Sequence, residues 1–141
     1  MSRTCATFER KGAVIKKLLF VLLLVSAPAW AAWTHFGDGN DGRFSAYADL
    51  ATIRKKGNLV KMWLLYDFKT LQGVYGGPHY LSINEQDEFD CDGERYRILY
   101  QAKHSGNMAG GEVVYSSADP GLWTPVAPGS FSETFWKVAC K

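Results

Sequence analysis

The sequence predicts an α+β domain: a single antiparallel sheet of about five to six strands, with a C-terminal helix packed on one face and tied there by a disulfide. Three observations predict it. Alternation of apolar and polar residues with a period of two recurs along the chain after its first thirty residues, and only one stretch, near the C-terminus, has helical spacing behind a capping signal. The third is cysteine usage, which depends on what happens at the N-terminus.

Residues 18–25 read LLFVLLLV, preceded by Lys11, Lys16 and Lys17 and followed by SAPAWAAW with small residues at Ala29 and Ala31. A basic region, a short apolar run and an A-x-A pattern make a secretory signal peptide. A spanning helix needs about 20 apolar residues, and this run ends at Pro28 well short of that. The expected cut follows Ala31, with a cut after Ala29 as the alternative, so that 1–31 is signal and 32–141 is the mature domain. Of 16 basic and 14 acidic residues, Arg3, Arg10, Lys11, Lys16, Lys17 and Glu9 leave with the signal; 11 and 13 remain, a net charge of −2. The +2 of the full sequence therefore belongs to the signal and gives no support to a nucleic-acid partner.

The elements follow in order. Weak strand signals fall at 43–48 (RFSAYA), 79–84 (HYLSIN) and 112–117 (EVVYSS), with a short extended piece around Trp123. The strongest strand is 58–69, NLVKMWLLYDFK. One of its faces carries Val60, Met62, Leu64, Tyr66 and Phe68; the other carries Leu59, Lys61, Trp63, Leu65 and Asp67. Segment 95–103, RYRILYQAK, sets Tyr96, Ile98, Tyr100 and Ala102 against Arg95, Arg97, Leu99, Gln101 and Lys103. Gly and Pro place turns at 37–42, 73–78, 106–111 and 119–121. Near the C-terminus, Pro128 and Gly129 precede Ser130, with Glu133 three residues on, a capping box for a helix to about residue 139. Phe131, Phe135 and Val138 form its apolar stripe, and the half-apolar second face of strand 58–69, Trp63 and Leu65, is its expected floor.

With Cys5 lost in the signal, Cys91 and Cys140 remain as an even pair in an exported, oxidising setting, and a disulfide is the expected state. Closing a loop of about 50 residues destabilises the unfolded chain by roughly 4 kcal/mol. A catalytic thiol at Cys91 is disfavoured, because Asp90 and Asp92 oppose thiolate formation. Glu88, Asp90, Asp92 and Gly93 have the spacing of a calcium loop, but Leu99 stands where an EF-hand supplies its bidentate Glu. The DGNDG stretch at 38–42 reads as a solvated turn rather than a metal site. His35, His79 and His104 sit at no ligand spacing, and no Ser/His/Asp set, phosphate loop or dinucleotide fingerprint can be placed. No catalytic residue, metal or cofactor is expected, and the chain reads as a non-enzyme.

The order W-x-L-x-D-F (Trp63 to Phe68), E-F-D-C (Glu88 to Cys91), R-x-R (Arg95 to Arg97), a Gly-rich turn, W-x-P-V-x-P-G-S (Trp123 to Ser130) and V-x-C (Val138 to Cys140) resembles the surface-adhesin protein E-like domain of Gram-negative bacteria. The resemblance implies an antiparallel sheet with a disulfide-tied C-terminal helix, and a founding member that is a lipid-anchored adhesin, engages host extracellular-matrix proteins and can dimerise. This chain has no cysteine at its cleavage site to carry a lipid. Two function classes follow: an adhesin-like module binding a host or envelope protein, as monomer or homodimer, or a soluble periplasmic accessory or ligand-binding domain. Periplasmic or secreted location is expected, with no membrane anchor after cleavage. Lys61, Arg95, Arg97 and Lys103 are the candidate protein-binding patch; an ordinary solvated strand face is the competing reading of the same residues.

Overall fold

The computed structural model describes residues 32–141; the expected signal peptide, 1–31, lies outside the described residues. The described residues form seven strands and one helix: β1 (Trp33–Gly39), β2 (Phe44–Lys56), β3 (Leu59–Gln72), β4 (Tyr80–Asp90), β5 (Arg95–His104), β6 (Val113–Ser117), β7 (Thr124–Pro125) and α1 (Phe131–Ala139). The strands form one antiparallel sheet in the order β1-β2-β3-β4-β5-β6, with β7 pairing the first residues of β5. Every neighbour in that path is also a neighbour in sequence, so tight turns suffice to connect most of it.

The period-two segments become strands as their patterns demand, and the sheet extends beyond them. β1 gives no clean alternation in sequence because a bulge at Phe36 breaks its register with β2. The second half of β4, EQDEFD, reads as loop because it is acidic, yet Glu85, Asp87, Glu88 and Asp90 are buried strand residues.

α1 begins as its capping box predicts. Ser130 is extended (φ −94°, ψ 167°) and its Oγ accepts from the Glu133 N–H at 3.3 Å, while the Glu133 carboxylate accepts from the Gly129 N–H at 2.8 Å. Lys137 pairs with Glu133 one turn on, at 2.7 Å. The Gly129 bond and Lys137 together hold the Glu133 carboxyl below its usual pKa, with the Lys137 contact the larger cause.

The floor under α1 is the face opposite to the one expected. Phe135 and Ala139 pack on Ala46, Ala48, Val60, Met62, Leu64 and Phe89, with Phe36, Tyr66 and Phe131 around them; Trp63 and Leu65 face away. Both faces of β3 are apolar enough to serve, and the tie at Cys91 together with the small side chains of Ala46 and Ala48 decides between them. The ring of Phe135 meets Phe36 at 5.5 Å and Tyr66 at 6.4 Å, edge-on in each case. Its complete burial contributes roughly 2–3 kcal/mol. At the other end of the helix, Trp136 Nε1 donates to the Asp90 carbonyl at 3.1 Å, and Cys140 bonds Cys91 with Cα atoms 5.5 Å apart. The disulfide thus joins the helix end to the β4–β5 turn.

The other face, here the open face, carries Tyr47, Trp63, Leu65, Asn84, Gln86, Tyr100 and Ala102 in register. It is covered in part by loop 105–111, which donates Asn107 Nδ2 and Met108 N to Asp67 Oδ1 (3.1 and 2.6 Å) and Ala109 N to Ser82 Oγ (2.9 Å). Met108 and Ala109 hold left-handed φ of 54° and 56° to aim those N–H groups.

Candidate functional site: the cationic end of the open face

The end of β2 and the two-residue turn after it read IRKKGN, residues 53–58. Antiparallel pairing places Arg54 opposite Lys61, Lys61 opposite Glu88 and Glu88 opposite Arg97, all on the open face. One rung nearer the turns, Lys56 lies opposite Leu59, Leu59 opposite Asp90 and Asp90 opposite Arg95. Two cross-strand rows therefore bring five cations over two carboxylates, a local excess of three positive charges within residues 32–141, which are net negative.

The two carboxylates are the fixed part. Glu88 Oε1 accepts from Arg97 Nε and Nη2 at 2.9 and 2.7 Å, and Lys61 Nζ stands 4.0 Å from Oε2. Asp90 accepts from Arg95 Nε at 2.9 Å, Asn58 Nδ2 at 2.8 Å and the N–H groups of Asp92 and Gly93 at 3.2 and 3.1 Å. The Arg95 bond, followed by the Gly93 N–H, holds the Asp90 carboxyl below its usual pKa. Both guanidinium groups lie against the ring of Trp123, 4.8 Å (Arg95) and 4.5 Å (Arg97) from its centre. Trp123 is delivered by the segment that pairs as β7 with the start of β5.

Arg54 and Lys56 have no carboxylate within 4 Å among the described residues. With Lys55, Leu59, Lys61 and Glu88 they line a cleft of about 450 Å³. Three sets of cations thus differ in freedom: Arg95 and Arg97 are clamped between carboxylate and indole, Lys61 is loosely paired, and Arg54 and Lys56 have no acidic partner. Such a surface offers guanidinium and ammonium donors to carboxylate-bearing ligands, with part of the ordering cost already met by the fold.

Of the four patch residues expected from sequence, Lys61, Arg95 and Arg97 come together here and Lys103 does not. β5 carries an extra residue, Leu99, between Ile98 (opposite Asp87) and Tyr100 (opposite Gln86), and this bulge reverses the sidedness of all that follows. Lys103 therefore projects from the helix side, with Nζ 4.8 Å from the Tyr80 ring and 5.1 Å from that of Tyr115. Arg54, Lys56 and Trp123 were missed; the run R-K-K before Gly57 was a readable sign of the first two, whereas nothing local ties Trp123 to the arginines.

Two further groups of titratable side chains lie elsewhere. On the helix side, Glu85 and Asp87 are buried on one strand; burial pushes both carboxyls up, and the charge of Glu85 adds to the shift at Asp87. Gln101 donates to Glu85 at 3.1 Å, while Asp87 Oδ1 has no hydrogen-bond partner among the described residues. In DGNDG, Asp38 accepts from Ser45 Oγ at 2.6 Å and contacts His35 Nε2 at 3.2 Å, so its carboxylate is engaged within the protein. No three His, Cys, Asp or Glu side chains converge as a metal-ligand set among the described residues, nor is any described helix long and apolar enough to cross a membrane.

Residues 33–141 match the family described as surface-adhesin protein E, which covers every strand and the helix. No curated protein matches the chain.

Proposed function

We propose, since the chain belongs to the surface-adhesin protein E family, that it is an exported or surface domain whose work is non-enzymatic binding of another protein, of the host or of the cell envelope, through the cationic end of its open face. The observation that carries this reading is the pair of cross-strand rows, in which Arg95 and Arg97 are clamped on Asp90, Glu88 and Trp123 while Arg54 and Lys56 face the cleft without an acidic partner. Preorganised guanidinium groups beside cations without an acidic partner favour a protein that presents an acidic surface, and the charge excess accelerates encounter as well as fixing orientation.

The reading is tested with envelope and extracellular-matrix proteins immobilised and the purified protein titrated over them at several salt concentrations. Arg54→Glu with Lys56→Glu breaks no ion pair among the described residues, and should weaken binding at least about tenfold while flattening its salt dependence. Charge reversal at Arg95 and Arg97 should do the same, with some loss of stability. Unchanged affinity in both double variants would remove the cationic end from the contact. Fractionation of native cells separates the adhesin-like reading from a periplasmic accessory role: labelling of intact cells by antibody supports the first, and recovery wholly inside the periplasm the second.

A further inference from the structure

We propose that the opposite end of the sheet is a contact for a lipid surface, made by the tip of the β3–β4 hairpin together with loop 105–111 and the start of β6. Eight large apolar side chains are exposed among the described residues, and six of them, Leu71, Val74, Tyr75, Met108, Val113 and Tyr115, gather at this end. Solvated domains seldom concentrate apolar surface in this way without a use for it.

The hairpin tip is built to project. Gly77 N–H donates to the Val74 carbonyl at 2.9 Å, closing a turn with Tyr75 and Gly76 at its corners, and Gly76 takes φ +76°, the conformation the third position of a type II turn requires. Below it Gly73 has φ +140°, and a Cβ there would come within 2.8 Å of the Pro78 carbonyl oxygen. This backbone sets Tyr75 out with no shielding at all and Val74 nearly three-quarters exposed. From Thr70 to Asn84 the chain contains no Asp, Glu, Lys or Arg.

The rest of the end continues the surface. Asn107 Nδ2 donates to the Phe68 carbonyl at 2.9 Å and Met108 N to Asp67, which brings the exposed Met108 beside β3 just below Leu71. Tyr80 and Tyr115 flank Lys103, which joins the base of the hairpin to the edge strand. Arg43, Lys69 and Lys103 border the apolar groups; Asp67 is engaged by loop 105–111 and the half-exposed Asp38 by Ser45 and His35, leaving Asp41 and Glu112 as the other exposed carboxylates of the bordering turns.

A protein pocket would accommodate a single knob, whereas apolar groups spread over a hairpin tip, a loop and an edge strand present a broad front. Tyrosines at that front and lysines behind it are the residue types that settle at the boundary of hydrocarbon and headgroups. The unpaired backbone groups of the Gly-rich tip need water, so contact stays at the interface and does not reach the bilayer centre. With β3 running 14 residues at about 3.3 Å each, a domain resting on this end would hold its cationic cleft roughly 45 Å away from the lipid.

The test uses residues 32–141, which hold every described element and the core they build, mixed with vesicles of phosphatidylcholine alone and of phosphatidylcholine with about a third phosphatidylglycerol, then floated on a density gradient. The protein should float with both, more strongly with the anionic vesicles. Val74→Asp with Tyr75→Asp should reduce the floated fraction at least about tenfold at unchanged melting temperature, since both sites are exposed. In a Tyr75→Trp variant the fluorescence of the introduced indole should be quenched by lipids brominated near the headgroup. Arg54→Glu with Lys56→Glu should leave flotation on phosphatidylcholine alone unaltered, which keeps this proposal separate from the binding role of the other end. Absence of flotation, an undiminished double-aspartate variant, or an introduced indole that brominated lipids fail to quench would overturn it.

Discussion

The two ends of this sheet are made from the same strands and treat their exposed groups in opposite ways. At the cationic end, polar side chains are held by other side chains: Asp90 gathers four donors, Glu88 takes a bidentate arginine, and Trp123 backs both guanidinium groups. The disulfide and the Trp136 indole fasten the same turn from the helix side. At the apolar end, the backbone sets the tip by glycine and turn geometry, and Val74 and Tyr75 project from it into solvent. Charges that must be presented in one geometry need a scaffold of partners, since a free Lys or Arg loses rotamer entropy on binding. Apolar groups meant for a non-directional phase need only projection.

The largest effect should come from unfastening the cationic end. Replacing Cys91 and Cys140 with Ser, across a separation of 49 residues, should remove about 4 kcal/mol and lower the melting temperature by on the order of 15–20 °C. The oxidised protein should weigh about two mass units less than its reduced form, as loss of two hydrogens requires; free thiols at both positions would break the comparison at its root.

Next, Glu88→Ala leaves Arg97 without its bidentate partner and should cost about 1–3 kcal/mol in urea unfolding. A cost near zero would mean that Trp123 alone keeps the guanidinium in place.

The sheet between the two ends has its own signature in pH. Burial raises the Glu85 and Asp87 carboxyls, so the folded protein binds protons more tightly than the unfolded chain. The stability this brings is complete below the unfolded values near pH 4 and is lost as pH rises through the folded ones. His104, lowered by burial, acts in the other direction, its contribution being lost as pH falls below about 6.5. Asp87→Asn should therefore flatten the decline of stability above about pH 4 in urea titrations, and an unaltered slope would show that Asp87 is not its source.

The smallest effect belongs to the apolar end: Tyr75→Ser should change stability by less than about 0.5 kcal/mol, because its side chain is fully exposed. A loss above about 1 kcal/mol would mean that the tip is packed in a way that contradicts the contrast.

How far these features could be read from sequence depended on whether their causes were local. Strand β3, the Ser130/Glu133 cap and the cysteine pair were legible because alternation, spacing and compartment each act on neighbouring residues or simple counts. The floor of α1 was not, since Val60, Met62 and Leu64 compete with Trp63 and Leu65 on equal terms until the whole sheet is assembled. The end of β4 was hidden because its buried carboxylates look like loop chemistry, and their partners Arg95 and Arg97 lie on the next strand. The cationic rows were half visible: Lys61, Arg95 and Arg97 follow from alternation, but Lys56 and Arg54 needed the β2–β3 register. The hairpin 73–78 was readable as a turn, while its exposure was not.

The extra residue at Leu99 acts as a phase shift in the alternation of β5. Ahead of it, odd-numbered side chains belong to the open face; beyond it, odd-numbered side chains belong to the helix side. Changes at Arg97 and at Lys103 are therefore felt in separate environments, and their effects on stability should add. Loss of Leu99 would cancel that shift: Tyr100 would follow Ile98 directly, strict alternation would return, and Gln101 and Lys103 would stay on the helix side with Ala102 and His104 on the open face, so a deletion of one residue would remove the bulge and keep both faces of β5.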